Sequence, residues 1–328
     1  MKRKILRLSL LALAATIAVL LALAPPALVN RAQAPRIDGD LEDWIASRES
    51  RVAETETLIQ GTEKRVRWYH GDANSRTRFS IVYLHGFSAT RQEIAPVGEW
   101  VADELQANLF ETRLTGHGRE RHALIGVRAE DWLEDAAEAL AIGALIGEQT
   151  ILIGTSTGAT LALAMAGHPA FEGVGFVVLV SPNFAPRDSN AELLTWPGGP
   201  QLAYLVAGST RSWTAENEQQ ARYWSTAYPM DAAIEMMRLV KYVRGELPLN
   251  LEQPLLVIWS PRDRVVDTAW IVRAIGQIES PNKQLVEVEV SGDPSNHVLA
   301  GDIMAPQNNR LVTDAITKFV RSNSSAGH

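Results

Sequence analysis

The sequence predicts an α/β class protein with a mostly parallel central sheet flanked by helices. Three observations carry this expectation. Strand-like and helix-like segments alternate over most of the chain, which is the pattern of crossover units. Several strand candidates, such as 175–180 and 255–259, are wholly apolar, as expected of strands covered on both faces. Finally, Thr150 to Ala164 reads as a buried β-branched strand that turns directly into an Ala/Leu-rich helix.

The elements follow in order. Residues 36–62 are polar, with Leu41, Trp44 and Ile45 at helical spacing and Asp40 placed to cap, so they read as a spacer docked on the domain. Strands are expected over 64–69 and 79–84, the second ending in His85-Gly86-Phe87-Ser88. An amphipathic helix over 92–106 presents Ile94, Val97, Val101 and Leu105 on one side. A short strand at 108–112 leads into Arg113-Leu114-Thr115-Gly116-His117-Gly118, and a helix spans 129–146. After the central strand come strands 175–180 and 255–259, a helix over 265–278, a strand over 285–290 and a final helix over 307–320. Residues 183–250 interrupt the alternation and are rich in Trp (Trp196, Trp213, Trp224) and Tyr (Tyr204, Tyr223, Tyr228), with a late Met cluster (Met230, Met236, Met237). They read as a helical cap leaving the sheet at a strand C-terminal end, where open α/β sheets bind ligands. The expected organisation is therefore an N-terminal segment 1–34, a spacer 35–62, a domain 63–322 containing the cap 183–250, and a disordered tail 323–328.

Composition narrows the function. Of 328 residues 46% are hydrophobic and 21% charged, and the net charge of −7 forms no long run. A nucleic-acid partner, which requires a clustered basic face, is not expected. The chain has no cysteine, so thiolate nucleophiles, disulfides and a lipidated-cysteine anchor are excluded. No ligand cluster has metal spacing, and no cofactor is implied. At the N-terminus Met1-Lys2-Arg3-Lys4 and Arg7 precede an uncharged stretch from Leu8 to Val29. This predicts an exported chain, the segment being either a signal peptide cut after Ala34 or, as favoured here, a retained membrane anchor. The location expected is extracytoplasmic or periplasmic.

Gly154-Thr155-Ser156-Thr157-Gly158 matches G-x-S-x-G. A strand turning straight into a helix strains the apex residue and requires small neighbours, which Gly154 and Gly158 supply. Ser156 is thereby presented at the sheet's upper rim, at a helix N-terminus. Serine needs a base, and histidine titrates near the working pH. Among seven histidines, His297 lies past a late strand in Gly292-Asp293-Pro294-Ser295-Asn296-His297, on the same rim. A carboxylate must orient the imidazole; Asp263 is the first candidate, Asp267 the second, with ordinary capping as its competing role, and Asp293 a weaker third. The oxyanion of acyl transfer needs two backbone donors, assigned to Thr157 and Phe87, while His85 and Gly86 support the loop.

With His85-Gly86, Gly116-His117-Gly118, Gly154 to Gly158, Asp263 and His297 in that order, the chain resembles the α/β-hydrolase superfamily over residues 64–322. Gly-His-Gly and the late Asp-Arg-Val-Val resemble the serine-aminopeptidase/monoacylglycerol-lipase-like branch, which includes lysophospholipases and carboxylesterases. The resemblance implies an α/β-hydrolase fold with a cap at 183–250, Ser156 as nucleophile, Asp263 as acid, His297 as base, and Phe87 with Thr157 as oxyanion hole. Two positions depart from the branch: an acid is missing before Gly116, and Thr155 stands where His or Met is frequent. The expected activity is hydrolysis of carboxylic esters of acyl or lipid-like type, the partners being a small-molecule substrate and a membrane touched through the N-terminus. The alternatives are a non-catalytic ligand-binding protein of the same fold, or a peptidase or amidase.

Overall fold

The computed structural model describes residues 23–71, 73–120 and 122–324. Its main sheet has seven strands: β1 (Arg65–Arg67), β2 (Thr77–Leu84), β3 (Asn108–Glu111), β4 (Gly147–Thr155), β5 (Val174–Val180), β9 (Leu255–Trp259) and β11 (Lys283–Glu287), in the order β1-β3-β2-β4-β5-β9-β11. Only β1 runs antiparallel to its neighbour; every other pair is parallel. Four further short strands lie outside this sheet, as two small pairs. The fold class expected from the sequence is the one observed.

Side chains alternate between two cores, one on each face. Val82 and Leu84 of β2, Leu152 of β4 and Val177 and Leu179 of β5 join one apolar cluster. Ile81 and Tyr83, Ile151 and Ile153, and Val178 and Val180 join the other. This period of two explains why the strands read as continuous apolar runs: neither face is left to water. Because the strands are parallel, the loops after β2, β4, β5, β9 and β11 open on one rim. β4 is the middle strand, so the residue that follows it stands at the centre of that rim.

Among the described residues the helices are α1 (Leu41–Ala53), α2 (Val97–Leu105), α3 (Ala129–Ile146), α4 (Thr157–Ala164), α5 (Gly199–Ala207), α6 (Glu218–Tyr223), α7 (Met230–Gly245), α8 (Thr268–Gly276) and α9 (Asn309–Ser324). α2 begins later than the spacing at 92–106 predicts. Pro96 disfavours helical geometry at the residue before it, so Arg91–Glu93 form a separate 3₁₀ turn and the helix starts at Val97. α8 starts at Thr268 because Asp267 caps it, its carboxylate accepting from the Ala269 and Trp270 amides. The last strand sits at Lys283–Glu287 rather than 285–290. α9 runs to Ser324, so residues 323 and 324 are helical rather than tail.

Between β5 and β9 lie α5, α6 and α7 with a small antiparallel pair, β6 (Thr210–Ser212) and β7 (Ala227–Pro229), which the reading of a purely helical insertion missed. β8 (Leu249–Asn250) and β10 (Ile278–Glu279) form a second, parallel pair. Ahead of β1, Asp40 caps α1, and Leu41 and Ile45 are buried in the main core. Glu49 of α1 pairs with buried Arg113 at 2.9 Å, at the position where the resemblance leads one to expect an acid.

Residues 1–22 of the expected export segment lie outside the described residues. The part that is described packs on the domain: Leu28 and Ala32 are buried, Asn30 Nδ2 donates to Ala164 O at 2.9 Å, and Arg238 donates to Pro26 O. Among the described residues no helix is long and apolar enough to cross a membrane.

Candidate functional site

Ser156 has φ 53° and ψ −114°, a strained geometry for a residue with a side chain. The turn closes only because its neighbours lack one. A Cβ on Gly158 would stand 2.0 Å from Leu84 O, and one on Gly154 would stand 2.4 Å from Gly158 O. The sheet and α4 are thus pressed together at this point, leaving the hydroxyl on the rim.

His297 comes to it from the loop after β11. Its Nε2 lies 2.9 Å from Ser156 Oγ, and its Nδ1 lies 2.7 Å from Asp263 Oδ2. Asp263 is fully buried, and its other oxygen accepts from the Val265 and Val266 amides at 2.7 and 3.0 Å. Burial by itself would lower the His297 pKa; the charge and hydrogen bond of Asp263, helped by Glu93 and Asp293, outweigh it and leave the imidazole above its ordinary value. Asp263 is therefore the carboxylate facing the imidazole. The runner-up, Asp267, is the cap of α8. Asp293 instead ties the histidine's own loop, accepting from the amides of Ser295, His297 and Val298.

Phe87 and Thr157 both line the cavity over the hydroxyl, Thr157 as the first residue of α4, where amides have no partner within the helix. His85 is buried and lies against the loop that carries Phe87. Its Nε2 accepts from the Leu114 amide at 3.1 Å, which places the proton on Nδ1, 2.9 Å from Gly86 O. Burial lowers its pKa to about 4, so the ring is neutral. The Gly86 carbonyl and the Phe87 N–H belong to one planar peptide, so holding that oxygen also aims the amide.

Two supports were not assigned from the sequence. His117, within Gly-His-Gly, accepts from the Ser88 amide at 3.1 Å through Nε2 and packs edge-on against His85, with ring centroids 4.9 Å apart. Glu93 is buried beneath the same loop, where Oε2 accepts from the Gly86 amide at 2.8 Å and from the Tyr83 hydroxyl at 2.9 Å. Burial raises its pKa to about 7, against the pull of those bonds and of His297. Of the other histidines, His168 caps a 3₁₀ turn and His122 sits in an exposed loop.

The cavity holds about 440 Å³ and is walled by Trp213, Trp224, Tyr228 and Met236 from the insertion, facing Ser156 and His297. The aromatic segment thus stands above the hydroxyl, not on a remote flank. Among the described residues no His, Asp and Glu side chains are grouped to hold a metal ion.

The structure is similar to several solved ones. A structure from a study of two metagenome-derived lipolytic enzymes, LipS and LipT, aligns at TM-score 0.65 and 19% identity, over 81% of this chain and 100% of that one. The monoacylglycerol lipase of Paleococcus ferrophilus aligns at TM-score 0.60 and 13% identity, over 79% and 98%. A soluble variant of the Saccharomyces cerevisiae monoglyceride lipase aligns at 0.58 and 11%, over 91% and 99%. At these identities the likeness is one of fold. No curated protein matches the chain by sequence. The profile of the alpha/beta hydrolase family matches residues 81–303, and with the strained serine turn on the central strand of a parallel sheet, the chain belongs to that family.

Proposed function

We propose that the protein is a serine hydrolase that cleaves carboxylic esters of acyl or lipid-like type through an acyl-enzyme. The observation that carries this reading is the continuous chain from Ser156 Oγ to His297 to Asp263, at 2.9 and 2.7 Å, beneath a cavity. His297 takes the hydroxyl proton as Oγ attacks the ester carbonyl. The developing oxyanion is held by the amides of Phe87 and Thr157, and loss of either would cost about 3 kcal/mol of barrier stabilisation. Collapse expels the alcohol, which takes the proton from His297. Water, deprotonated by the same imidazole, then releases the acid and restores Ser156. Asp263 keeps the tautomer correct and stabilises the imidazolium.

The aromatic and Met lining of the cavity favours an apolar acyl group, and the lipolytic and monoacylglycerol lipase structures of the same fold agree with such a substrate. The same reading keeps the N-terminal segment as a membrane anchor of an extracytoplasmic enzyme. Cleavage after Ala34 would strip Leu28, Asn30 and Ala32 from the domain they pack against. The test is labelling with a fluorophosphonate and turnover of p-nitrophenyl esters of graded chain length. Label on Ser156, loss of turnover in Ser156→Ala and a preference for apolar acyl chains are expected. Undiminished turnover by Ser156→Ala refutes the reading. Apolar ligand binding without turnover of any acyl substrate would favour the non-catalytic alternative, and amide turnover exceeding ester turnover would favour a peptidase or amidase.

A further inference from the structure

Glu93 is a buried carboxyl that the acyl-transfer steps above do not use. It closes the 3₁₀ turn Arg91–Glu93, and the backbone on either side pins it. A Cβ on Gly301, four residues past His297, would stand 2.3 Å from Glu93 O, and Asp302 N donates to Ala95 O at 2.8 Å. The Glu93 segment and the segment following His297 are therefore fitted to each other. Its side chain reaches back under the loop after β2, where Oε2 accepts from Gly86 and Tyr83, and it lines the cavity beside Ser156. The approach depends on Gly86 having no side chain. A Cβ there would lie 2.7 Å from Glu93 Oε1 and 3.3 Å from Ser156 Cβ.

The Gly86 residue is thus held at both ends: its N–H by Glu93, its carbonyl by the His85 ring and the Ala89 amide. The carbonyl end belongs to the peptide that contains the Phe87 N–H. From this geometry we propose that Glu93 is a positioning residue for the acyl transfer, anchoring the loop that aims the Phe87 amide and acting electrostatically on His297 across the cavity wall. The inference rests on the serine-hydrolase reading above. The ionisable groups that act on His297 are Asp263 after β9, Asp293 in its own loop, and Glu93; those that act on Glu93 are His297 and Tyr83 of β2. Glu93 ionises near pH 7, His297 is raised above its ordinary value, and each acts on the other, so the acidic limb of the rate profile belongs to the pair. An ionised Glu93 favours the imidazolium, which cannot act as base, and so holds the limb at higher pH.

The experiment compares wild type, Glu93→Gln and Glu93→Ala in kcat and KM across pH, with melting temperature and fluorophosphonate stoichiometry measured alongside. Glu93→Gln preserves an oxygen acceptor for Gly86 and Tyr83 but cannot ionise. It is expected to keep its plateau rate within about tenfold while the acidic limb of kcat/KM moves down by about half a pH unit or more. Glu93→Ala releases the loop and is expected to lose about a hundredfold in kcat with little change in KM. An acidic limb in Glu93→Gln that superimposes on the wild type overturns the proposal, as does activity lost only in proportion to unlabelled, unfolded protein. Should the wild type neither label at Ser156 nor turn over esters, the hydrolase reading fails and takes this inference with it. If it does both while Glu93→Gln keeps its acidic limb, only the role of Glu93 falls.

Discussion

Asp263→Asn tests the site most sharply, because the surrounding backbone dictates what the asparagine must do. One carboxylate oxygen of Asp263 accepts from two amides, Val265 at 2.7 Å and Val266 at 3.0 Å. An asparagine keeps those bonds only by placing its carbonyl oxygen there. Its NH₂ then faces His297 Nδ1, 2.7 Å away in the wild type. Two donors cannot face each other, so the imidazole adopts the opposite tautomer, with Nδ1 accepting and the proton on Nε2. That proton points at Ser156 Oγ, 2.9 Å away, and the base is gone although no atom has moved far. The imidazolium formed during attack also loses its counter-charge in a fully buried position. The two effects together predict a fall in kcat of about four orders of magnitude, about 5.5 kcal/mol of barrier, with KM little changed. The side chain is isosteric, so thermal unfolding should change far less than activity. Steady-state hydrolysis of a p-nitrophenyl ester, with the melting temperature measured on the same sample, checks both. Activity within tenfold of wild type would refute the argument, since it would mean that the tautomer is set by something other than Asp263.

Other outcomes follow from the same structure. A chain beginning at residue 35 should be less stable than one beginning at residue 23 by about 3 kcal/mol, from the lost burial of Leu28 and the Asn30 bond, or about 5 °C in melting temperature; equal melting temperatures would show that residues 23–34 contribute nothing. Trp224→Ala enlarges the cavity under the insertion and should raise kcat/KM for longer acyl chains relative to short ones by about tenfold, read from a chain-length series; an unchanged profile would place the acyl group elsewhere. The Glu93 carboxyl, pushed from 4.5 to about 7, holds its proton in the folded protein where the unfolded chain releases it, so the folded state binds more protons and stability falls as pH rises between those values. Glu93→Gln lacks this term. Its denaturation midpoint relative to wild type should therefore improve as pH rises through that window, and a constant difference would contradict the shift.

Much of this molecule is local. Whether a serine can stand at a strand-to-helix apex depends on its immediate neighbours, and Gly154 and Gly158 are visible as letters in the chain. Apolar runs covered on both faces likewise announce parallel strands, because each face of such a strand must meet a core. Chain order then left Ser156, Asp263 and His297 as the candidates for one rim, with Asp267 and Asp293 still in competition. Those two were separated by geometry alone: one caps α8, the other ties the histidine's loop, and only Asp263 reaches the ring.

Residues whose importance comes from distant packing stayed hidden. Glu93 follows Arg91 and Gln92 in a polar stretch and reads as surface; it is buried because Pro96 delays α2 and the turn folds under the β2 loop. His117 and Arg113 belong to a loop whose partners, Ser88 and Glu49, lie far off in the chain. The insertion's aromatic content was legible, but its small β-pair was not, since three-residue strands carry too little periodicity to see. The sequence by itself determined the class of fold, the strained serine and its candidate partners, because these follow from backbone sterics and two-sided burial within a few residues. Tertiary structure decided which carboxylate faces the imidazole, what holds the loop after β2 and what roofs the cavity, because charge and hydrogen-bond geometry depend on separations that only folding creates.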